Sequence, residues 1–373
     1  MKKVIVISLA ALLFMAACTK TDKGSSSSAI SFQTAAYATR AGIDGSVFPT
    51  TEVFGVYAWA SGSPDSYFMN NEKVAYDGEG KWVSEHEFYW IYKQTIDFIG
   101  YYPYNMPEVN IGKEEIKYTA MDVESRQIDA MYSSRATGYA YNPDGTYAGV
   151  DGSAGVPILF HHALGKVVID ARTAYDHVVE ADGTVYDWEV TVNSITVSDF
   201  YKKGDATFTI ENEPTEGIVG WTKPADEKGF NVWTNDGAKT SISNQPKVLL
   251  NSETPVNVMP EFFVLPQVVV KPEVDQEGRI IPGQPIHKVT VNLTVKTILN
   301  GEKLISETYN RSAYMYLEEI PAWQINYRNR YLLIIYPLGP GTGPGPDSHM
   351  PVITFDPAVA DWDYITVYTT LYL

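Results

Sequence analysis

Residues 287–298 (HKVTVNLTVKTI) alternate apolar and polar side chains almost without a break. A period of two is the mark of a strand with one covered face and one open face. The same period recurs in residues 189–197 (EVTVNSITV), in residues 206–210 and at the start of 327–336. No segment holds a helical period beyond a turn or two, and residues 318–321 (EEIP) offer at most one turn. A chain of such strands must bury its apolar faces sheet against sheet, which dictates an all-β fold. Composition agrees. The 26 Tyr, 14 Phe and 8 Trp sit among many Val and Thr, all good strand formers, while 28 Gly and 22 Pro punctuate them.

The first half predicts strands at 30–40 (ISFQTAAYATR), 53–60 (VFGVYAWA), 67–70, 74–76, 82–83, 88–92, 96–102 and 111–119. A loop-rich stretch at 141–155 (YNPDGTYAGVDGSAG) marks an expected domain boundary. Residues 156–171 (VPILFHHALGKVVIDA) hold two apolar runs, and 262–270 (FFVLPQVVV) is an edge strand or is broken at Pro266. Residues 339–351 (GPGTGPGPDSHMP) form a Gly/Pro linker to two further strands, 352–355 and 364–373. The last, YITVYTTLYL, would extend roughly 33 Å. Ile365, Val367, Thr369, Leu371 and Leu373 share one face of it, and Tyr364, Thr366, Tyr368, Thr370 and Tyr372 the other.

Cys18 is the only cysteine. It follows Met1-Lys2-Lys3, an apolar run at 4–14 and Ala16-Ala17, the layout of a secretory leader too short to span a bilayer as a mature helix. A cysteine at that point fits a bacterial lipoprotein signal whose thiol is acylated, although Met15 stands where leucine is commonest. Residues 1–17 are then the leader and 18–28 a Ser-rich tether. Thr19, rather than an acidic residue, follows the cysteine, which places the anchored precursor in the outer membrane. The formal charge is −17, and −19 once Lys2 and Lys3 leave with the leader. Such an acidic surface argues against nucleic acid as a partner. The expected folded parts are 29–155 and 156–373.

Candidate catalytic and metal groups do not converge. His161 and His162 are adjacent, so on a strand they point to opposite faces rather than to one ion. Glu85-His86-Glu87 lacks the second histidine of a zinc protease helix. Asn142, Asp144 and Asp151 are too loosely spaced for a calcium loop. No Gly-rich phosphate loop or G-x-S-x-G occurs, so no cofactor is expected. Most aromatics read as core and cross-strand pairs. Tyr67, Tyr147 and Trp233 stay open as sugar-stacking groups, which keeps a monomeric glycan-binding surface lipoprotein as the alternative.

Several blocks, in order, resemble the fimbrillin family of Bacteroidetes, specifically the Mfa-like fimbrillins of type V pili. They are residues 38–42 (ATRAG), Phe48-Pro49, 54–58 (FGVYA), 100–104 (GYYPY), 127–130 (QIDA), 160–167 (FHHALGKV), 323–331 (WQINYRNRY), and 353–355 (ITF) with Asp361-Trp362. The resemblance implies two transthyretin-like β-sandwich domains in tandem, no enzyme activity, and other pilus subunits as partners. It also implies a route. A trypsin-like protease cuts between Arg40 and Ala41, the first strand and its lipid depart, and the 364–373 strand of another subunit fills the groove. Strand addition of this kind satisfies open backbone groups and apolar pockets together. The plainer readings are that Arg40 is an ordinary loop arginine and that the terminal strand completes its own domain.

Overall fold

The computed structural model describes residues 30–36, 48–91, 93–140, 155–210, 233–276, 281, 284, 286–318, 320–337 and 352–361. Cys18, Arg40, Ala41, the loop residues Asn142, Asp144, Tyr147 and Asp151, the 339–351 linker and the 364–373 segment lie outside them. The described residues are all-β, without a helix.

The first nine strands are β1 (Ser31–Ala36), β2 (Val53–Ala60), β3 (Tyr67–Tyr76), β4 (Trp82–Ser84), β5 (Ile96–Tyr102), β6 (Val109–Ile111), β7 (Glu115–Asp122), β8 (Met131–Ser133) and β9 (Ala136–Tyr139). Then come β10 (Val156–His162), β11 (Gly165–Thr173), β12 (His177–Val179), β13 (Val185–Tyr201), β14 (Lys203–Thr209), β15 (Trp233–Asn235), β16 (Lys239–Asn244) and β17 (Val248–Leu249). The last are β18 (Val256–Val264), β19 (Gln267–Val268), β20 (Lys288–Leu299), β21 (Glu302–Tyr314), β22 (Ala322–Trp323), β23 (Tyr327–Tyr336) and β24 (Val352–Asp361).

Strands β2, β3, β4, β1, β10, β8 and β5 pair in that order, and β5 pairs back onto β2, so the sheet closes into a ring. Its interior is packed with rings. Phe48 stacks on Phe160 at 5.0 Å, and Phe54 meets Phe160 edge-on at 5.2 Å. Such pairs add about 0.5–1.5 kcal/mol each beyond their buried area. The period of two sorts β5 cleanly. Ile96 and Phe98 face the ring interior, while Ile99 and Tyr101 join a second core outside it. That is why IDFIGYY reads as continuously apolar: both of its faces are covered.

The second core runs on through a four-stranded sheet, β15-β14-β7-β6, in which β7 pairs with β14 across the 141–155 stretch. Tyr118, Phe208 and Trp233 pack together there. The core then continues into a sandwich. One layer is β18-β11-β23-β24, the other β12-β13-β20-β21 with β16 and β17 flanking β13. Val167, Ile169, Tyr331 and Leu333 lie in the same core as Val190, Val192, Val289 and Val291. In β13 the buried positions shift phase, from Val190 and Val192 to Ile195 and Val197, across a register break between Val192 and Ser194. One inserted residue, Asn193, turns outward and donates to Asn292 Oδ1 and Thr294 Oγ1.

Several local readings change. Residues 88–91, expected as a strand, belong to none; the strand expected at 352–355 runs on to Asp361; and the 111–119 stretch is divided between β6 and β7. Residues 67–76 form one strand rather than two short ones, with Asn71 at φ 53° absorbing the irregularity. The 262–270 run does break at Pro266, into β18 and β19.

Candidate functional site

β1 is the stave of the ring that stands apart from the others. It runs parallel to β10 over residues 32–36, but touches β4 only at Ser31 and Phe32. A parallel neighbour cannot be a hairpin partner; it lies more than a hundred residues later in the chain. Its hold is therefore made of side chains and one ladder. Phe32 is 1% exposed, with its ring edge-on to Phe98 at 5.6 Å and to Phe54 at 6.4 Å. Ile30 is buried, and its N–H donates to the Phe88 carbonyl at 2.9 Å. Burying two side chains of this size contributes about 1.5–3 kcal/mol each.

Gly155 fits the backbone of β1 against the start of β10. It takes φ +87°, and a Cβ there would stand 2.7 Å from the Ser31 carbonyl oxygen and 2.8 Å from the Phe32 nitrogen. Only glycine permits both the conformation and the approach. Without β1, the ring would have two free edges, β4 and β10, and an aromatic slot between them. Open edges beside apolar pockets accept an extended strand.

A second feature sits at the β10–β11 turn, where ring and sandwich join. His162 is buried and donates from Nδ1 to Asp129 Oδ1 at 2.6 Å. Asp129 Oδ2 lies 3.9 Å from Nζ of Lys166, a lysine only 2% exposed. The same Nζ is 3.9 Å from Glu261 Oε2 and 4.7 Å from the centroid of Phe263. Arg328 pairs with the other oxygen of Glu261, and Asn329 Nδ2 donates to the Lys166 carbonyl at 3.0 Å. These charges come from the ring and from three strands of the sandwich, so they pin the two parts together. Reading the sequence missed this cluster. Its signal was a lysine inside GKVVIDA, an apolar strand that would bury it.

The adjacent histidines part as the strand period requires. His161 turns away from His162, with Nε2 2.8 Å from Ser134 Oγ, and burial followed by the neighbouring His162 pushes its pKa down to about 4. His86 Nδ1 instead lies 3.0 Å from Glu72 Oε1. Among the described residues no three His, Cys, Asp or Glu side chains are placed to hold a metal ion. Trp233 is core rather than a sugar platform, at 7% exposed, with Nε1 donating to the Ala163 carbonyl at 2.9 Å. Tyr67 is 46% exposed and lies 5.3 Å from both Tyr57 and Trp59.

Compared with known proteins, residues 39–362 match the model of a family described as fimbrillin-like. No curated protein matches the chain. Among solved structures, a fimbrial protein from Bacteroides vulgatus is similar at 12% identity and TM-score 0.49, covering 89% of this chain and 99% of that one. The fimbrial anchor protein Mfa2 from Porphyromonas gingivalis is similar at 11% identity and TM-score 0.29, covering 90% of this chain and 98% of that one.

Proposed function

The chain belongs to the fimbrillin-like family, and from that premise we propose that it is the precursor of a type V pilus subunit, assembling by strand exchange at the cell surface in adhesion. Cys18 carries the lipid that holds the precursor in the outer membrane. A trypsin-like protease cuts between Arg40 and Ala41. The lipid and β1 leave together, and the 364–373 strand of another subunit takes the vacated place beside β10. Its role is noncovalent and structural, not enzymatic.

The observation that supports this reading is the seat of β1. It is one removable stave in a closed ring, lying just ahead of Arg40 in sequence and held by Ile30, Phe32 and one long ladder. The face bearing Ile365, Val367, Leu371 and Leu373 offers four large aliphatic side chains where β1 seats Ile30 and Phe32. Two further buried aliphatic groups favour the incoming strand by roughly 3–6 kcal/mol. Exchange is then downhill once the cut makes β1 dissociable.

Limited trypsin treatment, read by N-terminal mass and native gel, tests this. The expected result is a cut at Arg40-Ala41 followed by ladders that vanish when residues 364–373 are deleted. A chain that is not cut there and stays monomeric would favour the second reading, a surface lipoprotein binding glycans, for which half-exposed Tyr67 beside Tyr57 and Trp59 is the supporting feature.

A further inference from the structure

β21 runs for 13 residues along the border of its sheet. It pairs with β20 throughout, and among the described residues no strand pairs with its other side. β24, close by in the facing layer, hydrogen-bonds to β23 instead. A long open edge is a template for another strand unless its side chains forbid it.

The side chains of β21 are selective rather than forbidding. Thr308, Asn310 and Ser312 end rows of small polar groups that cross the solvent face of the sheet, and Ser306 stands beside Lys296, which reaches Glu189. Thr290 meets Ser312 at 2.8 Å, and Thr294 meets Thr308 at 3.3 Å. Asn193 donates to Asn292, which donates to Asn310, both at 2.8 Å. On the other face Glu307 accepts from the Tyr309 hydroxyl at 2.5 Å, and the Arg311 guanidinium lies 5.3 Å from the Tyr309 ring. Ile305, on that same face, is 42% exposed.

We propose that β21 is a self-association edge, where two copies of this chain pair antiparallel about Tyr309. In that register Glu307 of each copy faces Arg311 of the other. Thr308 faces Asn310, Ser306 faces Ser312, and the exposed Ile305 faces Ala313. The polar rows then continue unbroken into the second copy. Neighbouring registers lose the match. Centring on Glu307 sets Lys303 against Arg311, centring on Thr308 sets Ile305 against Arg311, and centring on Asn310 leaves Glu307 against Ala313. Opposite charges directly across an antiparallel pair are favourable and like charges are not. The contact is isologous, so each complementary pair counts twice and the pairing closes at two copies. Net charge points to the same occupant. Two mature chains of −19 repel at a distance, yet β21 carries Glu302 and Glu307 against Lys303 and Arg311, a neutral strip on which copies can meet. This association is separate from strand exchange, because β21 lies in the sandwich and β1 in the ring.

The test is sedimentation of the mature chain carrying Cys18→Ser, across about 1–100 µM. A dimer is expected. Glu307→Arg or Arg311→Glu should each weaken it by about tenfold or more, and the double exchange should restore it. Oxidation should trap Tyr309→Cys as a covalent dimer but not Ile305→Cys, because position 309 faces itself and 305 does not. Unchanged thermal melting of each variant excludes a folding defect. A monomer at every concentration overturns the proposal. So does a dimer indifferent to the single exchanges, a double exchange as weak as either single, or association that disappears when residues 364–373 are removed.

Discussion

Replacing Phe32 with alanine should loosen β1 before it loosens anything else. The ring of Phe32 is wholly enclosed, edge-on to Phe54 and Phe98. Its loss removes the transfer energy of the ring and leaves a hole that Phe54 and Phe98, themselves packed against the ring interior, can fill only in part. Such substitutions cost about 3–5 kcal/mol. β1 is anchored beyond Phe32 by Ile30 and by the ladder to β10, so the cost falls on a single short element. Local opening of β1 should therefore become roughly 10² to 4 × 10³ times more populated, since each 1.4 kcal/mol is a factor of ten. Amide hydrogen exchange reads this directly. Amides of β1 and of residues 156–160 should exchange faster by that factor, while those of β13 and β20 in the sandwich hold their protection. Uniform acceleration across both parts would refute the idea that β1 opens alone. Acceleration below tenfold in β1 would refute the idea that Phe32 holds it.

Gly155→Ala should act on the same seat, because the left-handed backbone and the 2.7 Å approach to Ser31 both exclude a methyl group; a loss of about 2 kcal/mol or more in urea titration is expected. His161 and His287 are buried, and burial pushes each down to about 4, with the neighbouring charge of His162 or Lys239 adding to the effect. The unfolded chain binds those protons near pH 6.5 and the folded chain does not, so stability should be flat above pH 7 and fall as pH drops from 6.5 towards 4, by up to about 3 kcal/mol per histidine. Urea midpoints between pH 7.5 and 4.5 check this, and His161→Gln with His287→Gln should flatten the slope. Asp129→Asn removes the anion between His162 and Lys166 and should cost up to about 3–5 kcal/mol by denaturation, because the buried ammonium is left with only Glu261, a carboxylate it shares with Arg328; adding Lys166→Met should recover much of the loss.

The all-β character was legible because alternation and aromatic strand formers leave no other way to cover the apolar faces. Residues 53–60 form a strand with the bounds their pattern predicts, and Pro266 breaks its run where a missing N–H must. Residues 189–197 read as one unbroken alternation, and only the register break between Val192 and Ser194 shows the residue inserted there. Periodicity is local, and that is its limit. It cannot say that β1 lies parallel to a strand more than a hundred residues away, that β5 folds back on β2 to close a ring, or that β7 pairs with β14 across the 141–155 stretch. Those pairings depend on which covered faces fit each other in three dimensions. The same is true of Asp129, His162, Lys166 and Glu261. Asp129, the His162–Lys166 stretch and Glu261 lie far apart in sequence, and only the meeting of ring and sandwich, where water is excluded and buried polar groups need partners, makes them one cluster.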